Sequence, residues 1–257
     1  MNPKIYEMIH REAFPTPFCP GCGHGILMGA VLRAIAELEI DMKDMLFASG
    51  IGCAAWIISP HFKADTLHTL HGRAIAFATG AKLFNPKLKV MVISGDGDLS
   101  AIGGNHLIHA ARRNIDMTVV CANNSIYGMT GGQVASTTPK GSFTSTTPKG
   151  NPEPPFDLCK LMEGAGATFV ARQPVATPVP LIQTLKKAIA HRGFSFIDVL
   201  SPCPTHFGRR NAYRGAFDMI QALRKNCISV EKAKGLPPEE LKGKIIVGEF
   251  VNQGGQG

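Results

Sequence analysis

The chain has 257 residues, enough for one large α/β domain or two small ones, and its 44% hydrophobic content supplies a sizeable core. Its formal net charge of +8 comes from scattered Lys and Arg residues without a basic stripe interleaved with aromatic side chains. Nucleic acid is therefore a weaker interpretation than an anionic ligand or an acidic protein partner. No apolar run reaches membrane-spanning length and residues 1–15 lack the apolar segment of a signal peptide, so we expect a cytoplasmic protein.

Cysteines mark the first informative stretch of the chain. There are seven, and without a signal peptide they favour a metal or redox role over a disulfide framework. Cys19 and Cys22 form a CxxC motif in a Gly/Pro-rich loop, directly before a predicted helix. A predicted strand at Met45 to Ala48 then leads into a glycine loop that carries Cys53. These three thiols all lie at positions from which they can reach a shared metal centre.

A cationic sequence follows the next predicted strand. Thr66 to Leu70 has the composition of a short strand, and His71-Gly72-Arg73 follows it, before a helix that runs through Lys82. Side chains at the ends of parallel strands gather at one edge of the sheet. His71 and Arg73 are candidates to bind a diphosphate or a substrate carboxylate there, and a purely structural role is equally open.

The most specific signal is a predicted βαβ unit. A β-branched strand at Val90 to Ile93 ends in Gly95-Asp96-Gly97, and a helical pattern begins near Asp98. A second strand at Met117 to Cys121 ends in Asn123-Asn124. In a right-handed crossover the carboxyl ends of both strands reach the same edge of the sheet, so the Asp and the Asn pair are expected to meet.

These residue types suit a diphosphate held by Mg²⁺. Gly95 and Gly97 let the backbone turn sharply and approach a ligand closely. Asp96, the side chain of Asn124 and the carbonyl group of Ile126 offer three oxygen ligands, which Mg²⁺ prefers together with phosphate and water. The helix that follows directs N–H groups at phosphate oxygens. A Gly-Asp-Gly turn alone, however, is compatible with any α/β protein.

The remaining chain continues the α/β pattern. Residues Ser136 to Pro155 are predicted to form a functional loop that contains the sequence STTPKG twice. Strands alternating with helices predict a doubly wound, mostly parallel sheet in a single domain over residues 1–257. The chain stops at NQGGQG without a terminating element, so we expect further residues in the parent protein. Further helices are predicted at Phe156 to Met162, from Pro178 through His191 and at Ala216 to Arg224, and further strands at Thr168 to Ala171, Phe194 to Leu200 and Ile245 to Val251.

The seven cysteines divide into two groups. Four lie in Gly- or Pro-rich loops: Cys19, Cys22, Cys53 and Cys203. The other three lie in a strand pattern, in a helix pattern and in or beside the last predicted helix: Cys121, Cys159 and Cys227. The first group is the candidate ligand set. An iron–sulfur cluster and a tetrahedral zinc ion both accept four thiolates, so the spacing leaves both open.

A family resemblance distinguishes these possibilities. Gly-Asp-Gly, twenty-five residues from Asp98 to Ala122, and Asn-Asn resemble the thiamine diphosphate signature. The segment NSIYGMTGGQ, with CPGCGH, GIGC and SPCPT in the same order, resembles the β subunits of two-subunit 2-oxoacid:ferredoxin oxidoreductases. The resemblance implies a thiamine diphosphate-binding fold of the diphosphate-domain type. It also implies Mg²⁺ on Asp96, Asn124 and Ile126, and one [4Fe–4S] cluster on Cys19, Cys22, Cys53 and Cys203.

We expect the following residues to form the site. The cofactor-binding set is Gly52, Cys53, His71, Gly95, Asp96, Gly97, Asp98, Asn124, Tyr127 and Gly128. The catalytic set is His71, Arg73, Met129 and Thr130, of which the last two follow the metal turn and approach the thiazolium ring, unless Met129 only packs.

The resemblance implies oxidative decarboxylation of a 2-oxoacid, 2-oxoglutarate by preference, with coenzyme A, to acyl-CoA and CO₂. Electrons then pass through the cluster to ferredoxin, and the reaction is reversible as reductive carboxylation. An α subunit is expected to supply the pyrimidine-binding domain with its activating Glu, in a dimer of αβ heterodimers, so the β chain alone has little activity. Neither nucleic acid nor a membrane is an expected partner. Alternatives are a pyruvate or broad-range enzyme, a non-oxidative decarboxylase subunit, and a zinc-stabilised interaction subunit with a degenerate cofactor site.

Overall fold

The fold is built on one twisted sheet. A computed structural model describes residues 3–254. The strands of this part of the chain are Met45–Ser49 (β1), Asp65–His68 (β2), Lys89–Gly95 (β3), Met117–Asn123 (β4), Phe169–Pro174 (β5), Phe194–Leu200 (β6), Cys227–Ser229 (β7) and Ile245–Asn252 (β8). Their order across the sheet is β2-β1-β3-β4-β6-β5-β8-β7. Neighbouring strands are parallel, except that β8 runs antiparallel to β5. The predicted mostly parallel sheet is confirmed.

Helices cover both faces of the sheet. They are Pro3–Glu7 (α1), His24–Glu37 (α2), Ala74–Phe84 (α3), Gly104–Arg112 (α4), Leu158–Gly164 (α5), Pro178–Ala190 (α6), Ala216–Asn226 (α7), Val230–Ala233 (α8) and Pro238–Leu241 (α9). One apolar core lies between the sheet and α2 with α6, and the other between the sheet and α3, α4 and α5. The central strands β3, β4 and β6 are buried on both faces, and for β3 the apolar run Val90 to Ile93 predicts this burial.

Within residues 3–254, no helix combines the length and the apolar character that a membrane crossing requires.

Two element boundaries near the sheet edge differ from the predicted ones. Strand β2 ends at His68 rather than Leu70, and beyond it the N–H and the hydroxyl group of Thr69 both donate to the carbonyl oxygen of Ser49. The helix predicted to begin near Asp98 is interrupted. A π-helical turn at Gly97–Ile102 precedes α4, and Gly103 packs so closely on the backbone of Asp98 that a Cβ would lie 2.5 Å from its carbonyl oxygen.

A buried ion pair connects the interior strands to the chain that follows β4. Arg172 on β5 and Asp198 on β6 are register partners, and Nε of the arginine donates to Oδ2 of the aspartate at 2.7 Å. A second contact joins Nη2 of Arg172 to Asp157, which caps α5, at 2.6 Å. Asp198 also accepts from the side chain of Asn123 at 2.9 Å, and Asn123 accepts from the N–H of Ser125. The pair therefore fixes the turn that presents the Asn pair.

Replacement of Arg172, the positively charged partner in the buried ion pair, tests whether this pair stabilises the fold. In Arg172→Met, Asp198 is left as a buried carboxylate without its ion-pair partner, so the free energy of unfolding is expected to fall by about 3–5 kcal/mol. Lys186→Met is the matched control, because Lys186 and Glu37 form an exposed ion pair worth about 0–1 kcal/mol. Urea denaturation followed by circular dichroism measures both. Equal losses in the two variants would contradict the structural role of the buried pair.

Candidate functional site

A pocket opens where the carboxyl ends of β1, β3 and β4 meet. Its wall comes from the loops that follow these strands and from the loop between β2 and α3. Every residue predicted to bind the cofactor or Mg²⁺ lines this pocket, and so do His71, Met129 and Thr130 from the catalytic set. Residues that are far apart in the sequence are therefore gathered at the edge where open α/β sheets bind ligands.

Arg73 lies outside this group. It precedes the first turn of α3, and Nη1 of its guanidinium lies 3.4 Å from the carbonyl oxygens of Gly72 and Ile102. It does not line the pocket. Arg73 was predicted to bind a diphosphate or a substrate. That role stays a prediction, because Arg73 lies outside the wall of the pocket.

Asp96 is a buried carboxylate at the end of β3, and its environment favours a positive ligand. Only 1% of the residue is exposed, and burial raises the pKa of its carboxyl group to about 6. The hydroxyl group of Thr137 donates to Oδ2, and the backbone N–H of Asn124 also favours the charged form. The side-chain oxygen of Asn124 accepts from the N–H of Ile126 at 3.1 Å and thereby orients the turn. Carboxylate, amide and carbonyl oxygens in one pocket are a donor set that Mg²⁺ accepts.

Asp98 connects three loops of the site. Its carboxylate accepts from the hydroxyl group of Ser94 at 2.7 Å, from the N–H of Gly72 at 2.8 Å and from the N–H of Ile51 at 3.2 Å. Nδ1 of His71 lies 2.5 Å from Oδ1 of the same carboxylate, without hydrogen-bond geometry. The side chain of His71 remains 35% exposed at the pocket wall, so Asp98 positions a histidine toward the ligand space.

The segment YGMTGGQ forms a tight hairpin over the metal turn. Tyr127 and Gln133 pair through their backbones, and the N–H of Gly132 donates to the carbonyl group of Tyr127. The hydroxyl group of Tyr127 donates to the carbonyl oxygen of Gly97 at 3.0 Å. A Cβ on Gly97 would lie 2.4 Å from the Tyr127 ring, so only glycine permits this contact. Met129 is half exposed at the tip of the hairpin.

The STTPKG loop supports the site from outside. Within residues 136–155 the structure contains neither helix nor strand, as predicted. In the first copy, Thr137 donates to Asp96, and Thr138 donates to the carbonyl oxygen of Ser125 at 2.7 Å. In the second copy, Thr146 accepts from the N–H of Val134 at 3.0 Å. The two copies therefore support different parts of the site: the metal turn and the hairpin.

The cysteines of the candidate ligand set surround a second cavity of about 300 Å³. Its wall includes Cys19, Cys22, Cys53 and Cys203. A Cβ built on Gly128 would lie 3.5 Å from Sγ of Cys53 and 3.9 Å from Sγ of Cys203, which shows how closely these two thiols approach the hairpin. Cys121 and Cys159 are buried in the core, and Cys227 begins β7.

The chemistry of these thiols suits a cationic centre. Burial, with a smaller contribution from the neighbouring thiols, raises the pKa of Cys22 to about 12 and that of Cys53 to about 11. A bound metal centre reverses this preference, because its positive charge stabilises thiolates. Within residues 3–254, no three His, Cys, Asp or Glu side chains are arranged to hold a single metal ion directly. The four sulfurs stand around an open volume, which fits a cluster of several atoms.

His24 separates the two cavities, and no role was predicted for it. It lines both, is buried, and its Nδ1 lies 2.9 Å from the hydroxyl oxygen of Ser201. Burial lowers the pKa of His24 to about 4, so it is neutral at pH 7. Gly23 packs directly on Ser201, and its N–H donates to the carbonyl group of Pro202. These contacts bring the CxxC loop against the end of β6, next to Cys203.

Comparison with known proteins agrees with this geometry. Residues 50–199 match the family described as the thiamine pyrophosphate enzyme, C-terminal TPP binding domain. The chain is 52% identical to 2-oxoglutarate synthase subunit KorB of Methanocaldococcus jannaschii, over 98% of this chain and 93% of that protein. It is 46% identical to 2-oxoacid:ferredoxin oxidoreductase subunit beta of Saccharolobus solfataricus, over 74% of this chain and 62% of that protein.

A solved structure is similar over nearly the whole chain. It is a 2-oxoglutarate:ferredoxin oxidoreductase from Magnetococcus marinus with 2-oxoglutarate, coenzyme A and succinyl-CoA bound. The similarity has a TM-score of 0.85 at 34% sequence identity and covers 98% of this chain and 85% of that one. The predicted thiamine diphosphate-binding α/β fold is confirmed.

The raised pKa of Asp96 gives a prediction for the metal-free chain. The native state keeps the proton up to about pH 6, whereas the unfolded chain loses it near 3.8, so stability is lost as pH rises between these values. Asp96→Asn cannot ionise and escapes this loss. Its free energy of unfolding relative to wild type should rise by on the order of 3 kcal/mol between pH 4 and pH 7.

Urea denaturation in a chelating buffer across this pH range measures the difference. Addition of Mg²⁺ with thiamine diphosphate at pH 7 serves as the control. It should stabilise the wild type and leave the Asn variant almost unchanged, because only the wild type has the anionic ligand. Parallel stability curves for the two proteins at all pH values would be evidence against the assigned ionisation.

Proposed function

This chain belongs to the β subunits of the 2-oxoacid:ferredoxin oxidoreductases, and on that basis we propose that it forms the diphosphate half of a 2-oxoglutarate-oxidising active site. With an α subunit it converts 2-oxoglutarate and coenzyme A to succinyl-CoA and CO₂ and passes the electrons to ferredoxin. One observation carries the proposal: the oxygen-lined pocket and the cysteine-lined cavity share a wall that includes Cys53, Asn124, Gly128 and Met129.

The pocket is suited to the diphosphate of thiamine diphosphate. Asp96, Asn124 and the carbonyl group of Ile126 would hold Mg²⁺, which would supply positive charge for a diphosphate. His71 lies at the same wall, held by Asp98, where its ring can donate to an anionic oxygen. Burial of Asp96 excludes water from one side of the metal, so the ion contributes more to diphosphate binding than it would at an exposed site.

Thiamine diphosphate, when bound, supplies the carbon nucleophile that adds to the 2-oxoacid carbonyl group and delocalises the electron pair left by CO₂. This chain contributes orientation and electrostatics. Met129 and Thr130 lie at the pocket wall beyond the metal turn, next to the shared wall, where the reacting end of the cofactor would be placed. Met129 adds an apolar, polarisable surface that limits access of water.

The site needs a second chain. The carboxylates in the wall of the pocket formed by the described residues are Asp96 and Asp98. The first is assigned to the metal, and the second already accepts three hydrogen bonds and pairs with His71. The carboxylic acid that hydrogen-bonds the aminopyrimidine ring must therefore come from the α subunit. We place two such αβ pairs in the complete enzyme.

The cysteine cavity is suited to a [4Fe–4S] cluster. Four cysteines from three separate loops surround it, which is the ligand number that such a cluster requires. A cluster held by these cysteines would supply one-electron redox chemistry beside the diphosphate pocket. Cys19 is exposed at the surface of the chain, so a ferredoxin can approach that side of the cluster.

An anaerobic absorption spectrum of the αβ complex tests this function. We expect a broad visible band from the cluster, with iron and sulfide in equal amounts, which bleaches when 2-oxoglutarate and coenzyme A are added together. Pyruvate should bleach it more slowly, and the β chain alone should not respond to either acid. A colourless complex that still releases CO₂ would identify a non-oxidative decarboxylase instead, and bleaching by pyruvate alone would identify a different substrate.

Substitution of single cysteines tests the ligand assignment. Cys19→Ser and Cys203→Ser should lose iron and sulfide, and ferredoxin reduction by the αβ complex should fall by about 100-fold or more, because each removes a cluster ligand. Thiamine diphosphate binding, measured by calorimetry, should be retained. Cys227→Ser is the matched control and should keep its cluster, since Cys227 begins β7 outside the cavity. Equal iron content in all three variants would contradict the assignment.

A further inference from the structure

His24 lies in the wall between the diphosphate pocket and the cysteine cavity. It is the first residue of α2, it lines both spaces, and only 1% of it is exposed. Phe18, which also lines the cysteine cavity, packs edge-on against the imidazole ring at a centroid distance of 5.7 Å. The ring is therefore held in place between the two spaces that the proposed function uses.

The contact with Ser201 assigns the proton of the neutral ring to Nε2. Nδ1 of His24 lies 2.9 Å from the hydroxyl oxygen of Ser201, and this serine is itself buried. Within residues 3–254 the hydroxyl group has no other acceptor, so its hydrogen is satisfied only if it donates to Nδ1. Because Nδ1 then accepts, the single N–H of the neutral imidazole ring is at Nε2.

This arrangement leaves Nε2 with a hydrogen to donate. In the part of the chain that the structure describes, Nε2 has no hydrogen-bond acceptor, although the residue is almost completely buried. A buried donor without an acceptor is costly, and native proteins contain few such groups. Since Nδ1 is engaged with Ser201, the tip of the ring, which carries Nε2, is the part that can serve a group bound in one of the two spaces.

The attachments of His24 favour an acceptor in the cysteine cavity. Its backbone N–H hydrogen-bonds to the sulfur of Cys22, two residues earlier, and favours the thiolate form. Its ring contacts Ser201, which precedes Cys203 by two residues. Gly23 packs on the same serine and so brings the CxxC loop against this part of the chain. The residue is thus connected to two of the four cysteines, through its backbone and through its ring.

We propose that Nε2–H of His24 donates a hydrogen bond to a sulfur atom of the iron–sulfur cluster and raises its reduction potential, an inference that rests on the proposed function. The reduced cluster carries one more negative charge than the oxidised cluster, so a donor stabilises the reduced form more. One electron enters the cluster from the substrate and leaves to ferredoxin, and His24 keeps its proton in both states. Ser201 is a positioning residue, because it acts through the ring of His24.

A redox titration of the αβ complex, followed by electron paramagnetic resonance of the reduced cluster, tests the proposal. His24→Phe keeps an aromatic ring but removes the donor. Its equilibrium constant for cluster reduction should fall about tenfold, a shift of about 59 mV to more negative potential. Ser201→Ala keeps His24 but removes the hydroxyl group that fixes the tautomer, so it should shift the potential less, in the same direction. His24→Gln retains an N–H donor and should recover part of the loss.

His61→Phe is the matched control. His61 is as buried as His24 and also packs near Phe18, but it lines neither space, and its Nδ1 contacts the carbonyl oxygen of Trp56. This variant should keep the wild-type potential. An unshifted potential in both His24→Phe and Ser201→Ala would overturn the proposal, and so would an equal shift in His61→Phe.

Labelled histidine gives a result that does not depend on the stability of the variants. With nitrogen-15 in the imidazole rings, pulsed electron paramagnetic resonance of the reduced wild-type cluster should show a nitrogen coupling, and its absence would overturn the proposal. An unshifted potential with a raised KM for 2-oxoglutarate in His24→Phe would place the donor toward the diphosphate pocket and also overturn it. The two hypotheses fail separately: a complex without visible absorbance contradicts the redox function itself, whereas a normal cluster with an unshifted potential contradicts only the hydrogen bond.

Discussion

The buried carboxylate of Asp98 is the interaction on which the geometry of the site depends. It accepts from the backbone after β1, from the backbone after β2 and from a side chain at the end of β3, and so joins three loops that the sheet alone brings only into proximity. The close packing of Gly50 on this carboxylate leaves no space for a Cβ, which would lie 2.1 Å from Oδ2. Because Cys53 and His71 lie on two of these loops, one carboxylate positions residues of both the pocket and the cysteine cavity.

Asp96 and Asp98 are separated by one residue and are both buried, and their surroundings give them different functions. The carboxylate of Asp98 accepts hydrogen bonds from three protein donors, so it holds the surrounding loops together. For Asp96, the effect of burial outweighs that of its hydrogen-bond donors and raises the pKa of its carboxyl group to about 6, so the fold holds this anion at a cost. A cation removes that cost. An unfavourable buried charge of this kind is common in ligand-binding sites, and it supports the proposal that Asp96, rather than its neighbour, binds the metal.

Local patterns predicted the long elements and the positions of the ligands along the chain. The bounds of β6 agree at both ends, because a seven-residue segment rich in aromatic and β-branched residues, placed between turns, has few alternatives. The three-residue strand β7 was not predicted, since a run of that length carries no periodic signal. Thr137 and His24 were also missed as site residues. Thr137 donates to a carboxylate 41 residues earlier, and His24 contacts a serine 177 residues later, and no local pattern encodes such contacts.

This chain contains only part of the predicted site, which limits what its sequence alone can predict. Its motifs predict a diphosphate-binding site in detail, yet among the residues that the structure describes, the wall of that pocket includes no carboxylate besides Asp96 and Asp98. The same chain exposes Phe77, Leu83 and Phe84 on α3, the helix that follows the pocket loop, and turns that helix's one lysine inward. A chemical deficiency and an uncovered surface thus occur side by side. In a stable fold each feature alone is costly, and both are resolved if this domain is shaped as one half of a site that a second subunit completes.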